Sequence, residues 1–217
     1  MTKSETLIAL HDEGVLGIVR VDSPEQGFPS LRALYKGGLR CLEITMTTPG
    51  ALRAIGEASE KMTGALMGAG TVLDAVTARQ AILAGAKFLV TPTVKLDVIE
   101  IAHRYGVVVI PGAMTPTEIL TAWEAGADMV KVFPANVLGP GYLKAVHGPL
   151  PQIPLVPTGG VTAETAKEFI QAGAAIVCAG GWLVDKKAIA EGHYEILTER
   201  ARELVEAVSK AREEIAR

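Results

Sequence analysis

Short apolar runs rich in Val, Ile and Leu recur along the chain, and most follow a stretch of helical spacing that ends at glycine. Eight stand out, at residues 16–20, 40–45, 65–69, 88–91, 107–111, 129–133, 155–158 and 176–179. Runs this apolar and this short predict strands buried on both faces, as in a parallel sheet covered by helices. Four related phrases, Gly37-Gly38, Ala84-Gly85-Ala86, Ala125-Gly126-Ala127 and Ala172-Gly173-Ala174, announce strands in the way that glycine caps a helix before a tight turn. Between strands, helices are predicted over Pro116–Glu124, opened by Thr115-Pro116, and over Ala163–Gln171, opened by Thr162 with Thr165 three places on. Eight strands alternating with helices predict a (β/α)8 TIM barrel, one α/β domain spanning residues 1–217. An open doubly wound sheet is the competing arrangement, but no Gly-x-Gly-x-x-Gly follows the first strand.

Both ends of the chain carry helical patterns. Leu197, Ala201, Leu204, Val208, Ala211 and Ile215 alternate spacings of four and three, which makes one apolar stripe on a last helix packed against the barrel, or against a partner helix. Leu7, Ile8 and Leu10 suit an N-terminal helix that plugs the barrel's closed end. With 49% hydrophobic and 21% charged residues, 217 positions can bury a sizeable core. A net charge of −3 gives no general attraction for nucleic acid or an anionic membrane, so neither is an expected partner. No apolar run reaches the roughly 18 residues of a membrane span, and the charged first residues, Lys3, Glu5, His11, Asp12 and Glu13, do not read as a signal peptide. A cytoplasmic location is expected. Cys41 and Cys178 sit in strand-like runs and are expected as buried free thiols, while the four histidines lack mutual ligand spacing, so no metal site is expected.

Lys131 changes this picture, because it places an ammonium group inside the strand-like run Asp128-Met129-Val130-Lys131-Val132-Phe133. A lysine held in an apolar pocket can act as a neutral amine and attack a ketone to form a Schiff base. The plainer reading is a strand-end lysine that snorkels to water or pairs with a carboxylate. Strand alternation places Met129, Lys131 and Phe133 on one face, and Cys41, Glu43 and Thr45 on one face of their own strand. If both faces look inward, a carboxylate and an amine meet at the C-terminal mouth where barrel chemistry resides. Other polar or turn-forming residues are predicted at the same strand ends: Arg20, Gly70-Thr71, Pro92-Thr93 and Thr158-Gly159-Gly160. The Arg20 fork suits a substrate carboxylate, with a surface salt bridge as the alternative. Glycine pairs 159–160 and 180–181 read either as phosphate-binding turns or as plain turns.

Seven segments, in this order, resemble the 2-keto-3-deoxy-6-phosphogluconate and 4-hydroxy-2-oxoglutarate aldolases: Ile18-Val19-Arg20, Leu42-Glu43-Ile44-Thr45, Gly68-Ala69-Gly70-Thr71, Val90-Thr91-Pro92, the stretch from Pro111 to Glu118, Lys131-Val132-Phe133-Pro134 and Pro157-Thr158-Gly159-Gly160-Val161. The resemblance implies a metal-free and cofactor-free class I aldolase, a homotrimer of (β/α)8 subunits acting on a keto-acid substrate. Lys131 is then the Schiff-base lysine and Glu43 the general acid/base. Substrate-binding positions implied alongside them are Arg20, Thr71, Pro92, Phe133, Thr47, Thr158, Gly159, Gly160, Gly180 and Gly181. This chain departs from many relatives in having Gly181 where they have serine, and from some in having Thr47 where they have arginine. A phosphorylated substrate and a shorter, unphosphorylated one such as 4-hydroxy-2-oxoglutarate therefore both stay open. So do two other classes, a phosphate-binding barrel isomerase or epimerase that forms no imine and a barrel scaffold that binds without turnover.

Overall fold

The computed structural model describes residues 1–215, and positions 216 and 217 of the expected domain lie outside the described residues. In chain order the elements are α1 (Lys3–Glu13), β1 (Val15–Val19), α2 (Pro24–Lys36), β2 (Cys41–Thr45), α3 (Ala51–Lys61), β3 (Leu66–Gly70), α4 (Ala75–Leu83), β4 (Phe88–Val90), α5 (Leu96–Arg104), β5 (Val108–Ile110) and β6 (Gly112–Ala113). There follow α6 (Pro116–Glu124), β7 (Val130–Val132), α7 (Ala135–His147), β8 (Leu155–Pro157), α8 (Ala163–Gln171), β9 (Val177–Ala179), α9 (Lys186–Glu191) and α10 (Glu195–Ile215).

The recurring helix-to-strand phrase has one geometry. Gly38, Gly85, Gly126 and Gly173 adopt φ of 100°, 113°, 96° and 94°, a left-handed conformation open to glycine at little cost. The next residue's N–H then donates back to a carbonyl of the last helical turn, as Ala86 does to Ala81 and Ala127 to Ala122, both at 3.0 Å. At the opposite helix ends, the Thr115 hydroxyl accepts from Glu118 N–H at 3.3 Å and that of Thr162 from Thr165 N–H at 3.2 Å.

All strand pairing is parallel, in a six-stranded sheet ordered β5-β4-β3-β2-β1-β9 and a three-stranded sheet ordered β6-β7-β8. The run predicted as one strand at 107–111 is interrupted at Pro111, which has no N–H for a ladder. Its carbonyl still accepts from Lys131 N–H at 2.9 Å, joining the two sheets. At the other seam Thr158 bridges Cys178, and Ala175 N–H donates to the Leu155 carbonyl at 2.9 Å. The result is a TIM-barrel-like curl of parallel strands with helices packed outside.

Alternate strand residues divide between two apolar clusters. Val15, Leu42, Met67, Leu89, Val130 and Val177 pack outward with the helices, and Leu16, Cys41, Leu66, Phe88, Met129 and Ile176 pack inward around Leu10 of α1. Leu7 joins that inner cluster, but Ile8 is 60% exposed and takes no part in the plug, because it lies well around the helix from the face that residues 7 and 10 share. Along α10 the stripe from Leu197 to Ala211 is buried, while Ile215 is exposed. Both cysteines are free and buried, and burial pushes the Cys178 thiol up to about 12. Among the described residues no helix is long and apolar enough to cross a membrane.

Candidate active site

Where the inward faces of the strands end toward their C-termini, side chains change from apolar to polar. Ile18 is followed by Arg20, Cys41 by Glu43 and Thr45, Met129 by Lys131, and Val156 by Thr158. These positions border a cavity of about 870 Å³. Of the twelve residues proposed from sequence, ten line it: Arg20, Glu43, Pro92, Lys131, Phe133, Thr158, Gly159, Gly160, Gly180 and Gly181. Thr71 and Thr47 are not among the lining residues. Thr71 stands next to the wall, its hydroxyl accepting from Arg20 at 3.4 Å. Thr47 belongs to a hydroxyl cluster at the end of β2, 3.1 Å from the Thr45 hydroxyl, which is itself 3.2 Å from that of Thr48.

Lys131 is 7% exposed, and its Nζ lies 5.0 Å from the centroid of the Phe133 ring. Glu43 is 1% exposed, and its Oε2 has no hydrogen-bond partner among the described residues. No carboxylate lies within 4 Å of Lys131 among the described residues, so the simple ion pair considered from sequence does not form. Burial pushes the Glu43 carboxyl up to about 7, against the pull of the positive charges on Lys131 and Arg20. Near neutral pH both protonation states are therefore populated, which suits a group that must both give and take protons.

The carboxylate fits only because its neighbour is small. Gly70 pairs with Thr45 across β2 and β3, and a Cβ at position 70 would stand 2.2 Å from Glu43 Oε1. Directly after it, Thr71 holds φ at 54°, a left-handed backbone that strains a β-branched residue by about 1–3 kcal/mol. Just after β4, the Thr91 hydroxyl donates to the Thr93 carbonyl and accepts from Gly112 N–H at 3.4 Å, fixing the turn that presents Pro92.

Sequence reasoning missed part of the wall. Ile18, Val161, Trp182, Val184, Asp185, Lys186 and Lys187 also line the cavity. Five of these form the segment that runs from β9 into α9. The signal was present in Gly180-Gly181-Trp182-Leu183-Val184-Asp185-Lys186-Lys187, an aromatic and a charge cluster placed immediately after the last strand. Trp182 thus borders the cavity, with the Arg200 guanidinium 5.7 Å from its ring centroid.

A sequence profile of the KDPG and KHG aldolase family matches residues 8–200. The chain belongs to that family. A 2-dehydro-3-deoxy-phosphogluconate aldolase of Treponema pallidum is 35% identical over 201 residues, covering 92% of this chain and 96% of its own length. A KDPG aldolase of Legionella pneumophila, solved with pyruvate captured at low pH as a covalent carbinolamine, is 27% identical with a TM-score of 0.84, covering 92% of this chain and 97% of that one. The subunit of a cube-shaped designed cage, made by fusing symmetric oligomeric domains, is 32% identical with a TM-score of 0.86, covering 94% of this chain and 74% of that one. A lyase activity of the aldolase type goes with membership of this family.

Proposed function

We propose that this chain is a class I aldolase that cleaves 2-keto-3-deoxy-6-phosphogluconate to pyruvate and glyceraldehyde 3-phosphate, and that it accepts 4-hydroxy-2-oxoglutarate, yielding pyruvate and glyoxylate. The observation that carries the mechanism is a lysine and an unpartnered carboxylic acid, both buried, in one cavity at the C-terminal strand ends. The strands act as a closed (β/α)8 barrel of one catalytic domain over 1–217, a reading supported by contacts at both seams and by inner and outer clusters that draw on elements from one end of the chain to the other.

Lys131 Nζ adds to the C2 carbonyl of the keto acid, and the carbonyl oxygen takes up a proton. A second proton delivered to the carbinolamine hydroxyl lets it depart as water and leaves a protonated imine. The C3–C4 bond then breaks, its electron pair flowing into the enamine while the C4 hydroxyl gives up its proton and the aldehyde leaves. Protonation at C3 and hydrolysis of the imine release pyruvate and return the amine. Glu43 moves the protons in these steps, a contribution of about 10² to 10⁴ in rate. The pyruvate carboxylate is gripped by Arg20 with Thr71, whose strained backbone is consistent with a site held for binding rather than for stability. Pro92 and Phe133 shape the apolar wall, and the turns carrying Thr158, Gly159, Gly160, Gly180 and Gly181 face the distal end of the substrate. Thr47 acts at one remove, through its hydroxyl bond to Thr45.

A homotrimer working in the cytoplasm completes this reading. Likeness to a domain used as a symmetric oligomer supports it, as do Leu73, Val76 and Leu83, large apolar side chains left 49–69% exposed on and beside α4. The mechanism is tested by incubating the protein with pyruvate and borohydride and mapping the reduced adduct by peptide mass. An adduct on Lys131 is expected. Folded protein that yields none, beside a working control aldolase, would overturn the Schiff-base route in favour of an isomerase or a binding scaffold.

A further inference from the structure

We infer that Lys187 is the residue that selects phosphorylated substrates, supplying the side-chain charge for a phosphate at the distal end of the cavity. The inference rests on the aldolase reading and adds to it a specificity residue. The turns 159–160 and 180–181 offer only backbone donors, because all four positions are glycine. A phosphate carrying nearly two negative charges binds far better where a cation joins such donors. Four cationic residues line the cavity among the described residues, Arg20, Lys131, Lys186 and Lys187, and three already have other partners or duties.

Lys131 is the nucleophile, and Arg20 leans on the Thr71 hydroxyl at the carboxylate end. Lys186 is drawn to Asp22, with Nζ 2.7 Å from one carboxylate oxygen and 3.1 Å from the other. Lys187 is exposed at the rim and has no ion pair within 4 Å among the described residues. The neighbouring acid does not cancel it. Asp185 Oδ1 accepts from the N–H groups of Lys187 and Ala188, both at 3.0 Å, and its Oδ2 accepts from Arg200 at 3.1 Å. Those bonds also occupy two of the amides at the start of α9, those of Lys187 and Ala188, which leaves the Lys187 side chain as the cationic group this segment can offer an anion.

The test measures cleavage of 2-keto-3-deoxy-6-phosphogluconate and of its unphosphorylated counterpart by the full-length protein and by Lys187→Gln, Lys187→Arg and Lys186→Gln. One charge-assisted hydrogen bond lost corresponds to about a 10- to 100-fold change. Lys187→Gln is expected to lower kcat/KM for the phosphorylated substrate by that factor relative to the unphosphorylated one, mainly through KM. Lys187→Arg should recover most of the loss, and Lys186→Gln should change the ratio several-fold less. An equal effect of Lys187→Gln on both substrates, or a wild-type protein indifferent to the phosphate, would refute the assignment. Borohydride trapping of pyruvate on Lys131, run on the same preparations, separates the two levels. An adduct with no change in selectivity defeats only Lys187, whereas no adduct on the wild type defeats the aldolase reading beneath it.

Discussion

The same inward faces of the same strands end in two different ways. Toward their N-termini, Leu16, Cys41, Leu66, Phe88, Met129 and Ile176 close around Leu10 of α1 in an apolar plug. Toward their C-termini the positions two residues on include Glu43 and Lys131, and a cavity replaces the plug. Alternation aims both sets inward, so geometry alone does not separate them; chemistry does. The plugged end removes apolar surface from water and gains stability, about 1.5–3 kcal/mol for each large side chain fully buried. The open end does the reverse, keeping a carboxylic acid in surroundings that resist its charge, with Gly70 holding space for it. The proposed chemistry occupies the end where the fold is less stable than its sequence could make it.

Lys131→Ala should break this contrast most completely. Cleavage should fall to the background of a coupled aldehyde assay, and pyruvate trapping should vanish, while circular dichroism and the melting transition show a folded protein. Glu43→Gln should come next, slowing exchange of the pyruvate methyl protons by about 10² to 10⁴ and erasing the limb of the exchange-rate profile near pH 7. The same variant tests the cost of the site. A carboxyl whose folded-state pKa is raised from 4.5 to about 7 holds its proton more tightly when folded, so its contribution to stability is present below pH 4.5 and is lost as pH rises to about 7. Glu43→Gln should therefore gain on the wild type above pH 7, by on the order of 1–3 kcal/mol in denaturant titrations, and equal stability across that range would refute the assigned shift.

Gly70→Ala should have a smaller effect on turnover, because the added methyl group displaces the Glu43 carboxylate without removing it. A fall in kcat of roughly tenfold and a destabilisation of about 1–3 kcal/mol are expected, and wild-type kcat would show that the carboxylate needs no such clearance. Leu10→Ala probes the closed end and should change catalysis least. Thermal or chemical unfolding should register a loss of about 2–5 kcal/mol, with turnover per folded molecule close to that of the wild type. A large loss of turnover would mean that the two ends are coupled.

The alternating positions in residues 41–45 and 129–133 were enough to group Glu43 with Cys41 and Lys131 with Met129, because side-chain direction in a strand depends only on parity. The helix-ending glycines were equally legible, since a left-handed turn constrains residue type locally. Less legible was the wall built by residues 182–187, where no periodicity marks a loop and the lining depends on where β9 delivers the chain. Thr47 and Thr71 were equally open in the sequence. The resemblance implied both as substrate-binding positions, and the structure sets the Thr47 hydroxyl beside that of Thr45 and brings the Arg20 guanidinium to the Thr71 hydroxyl.

By itself, then, the sequence determined the order of strands and helices, the inward parity of Lys131 and Glu43 and the motifs of the family, all of which are encoded by near neighbours. Only the tertiary structure decided that Pro111 divides a strand between two sheets and that, among the described residues, Glu43 keeps an unpartnered oxygen and Lys186 has an ion pair while Lys187 has none. Each of these depends on groups distant in sequence, such as Asp22 and Lys186, and local spacing along a chain carries no record of which remote surfaces its closure will bring together.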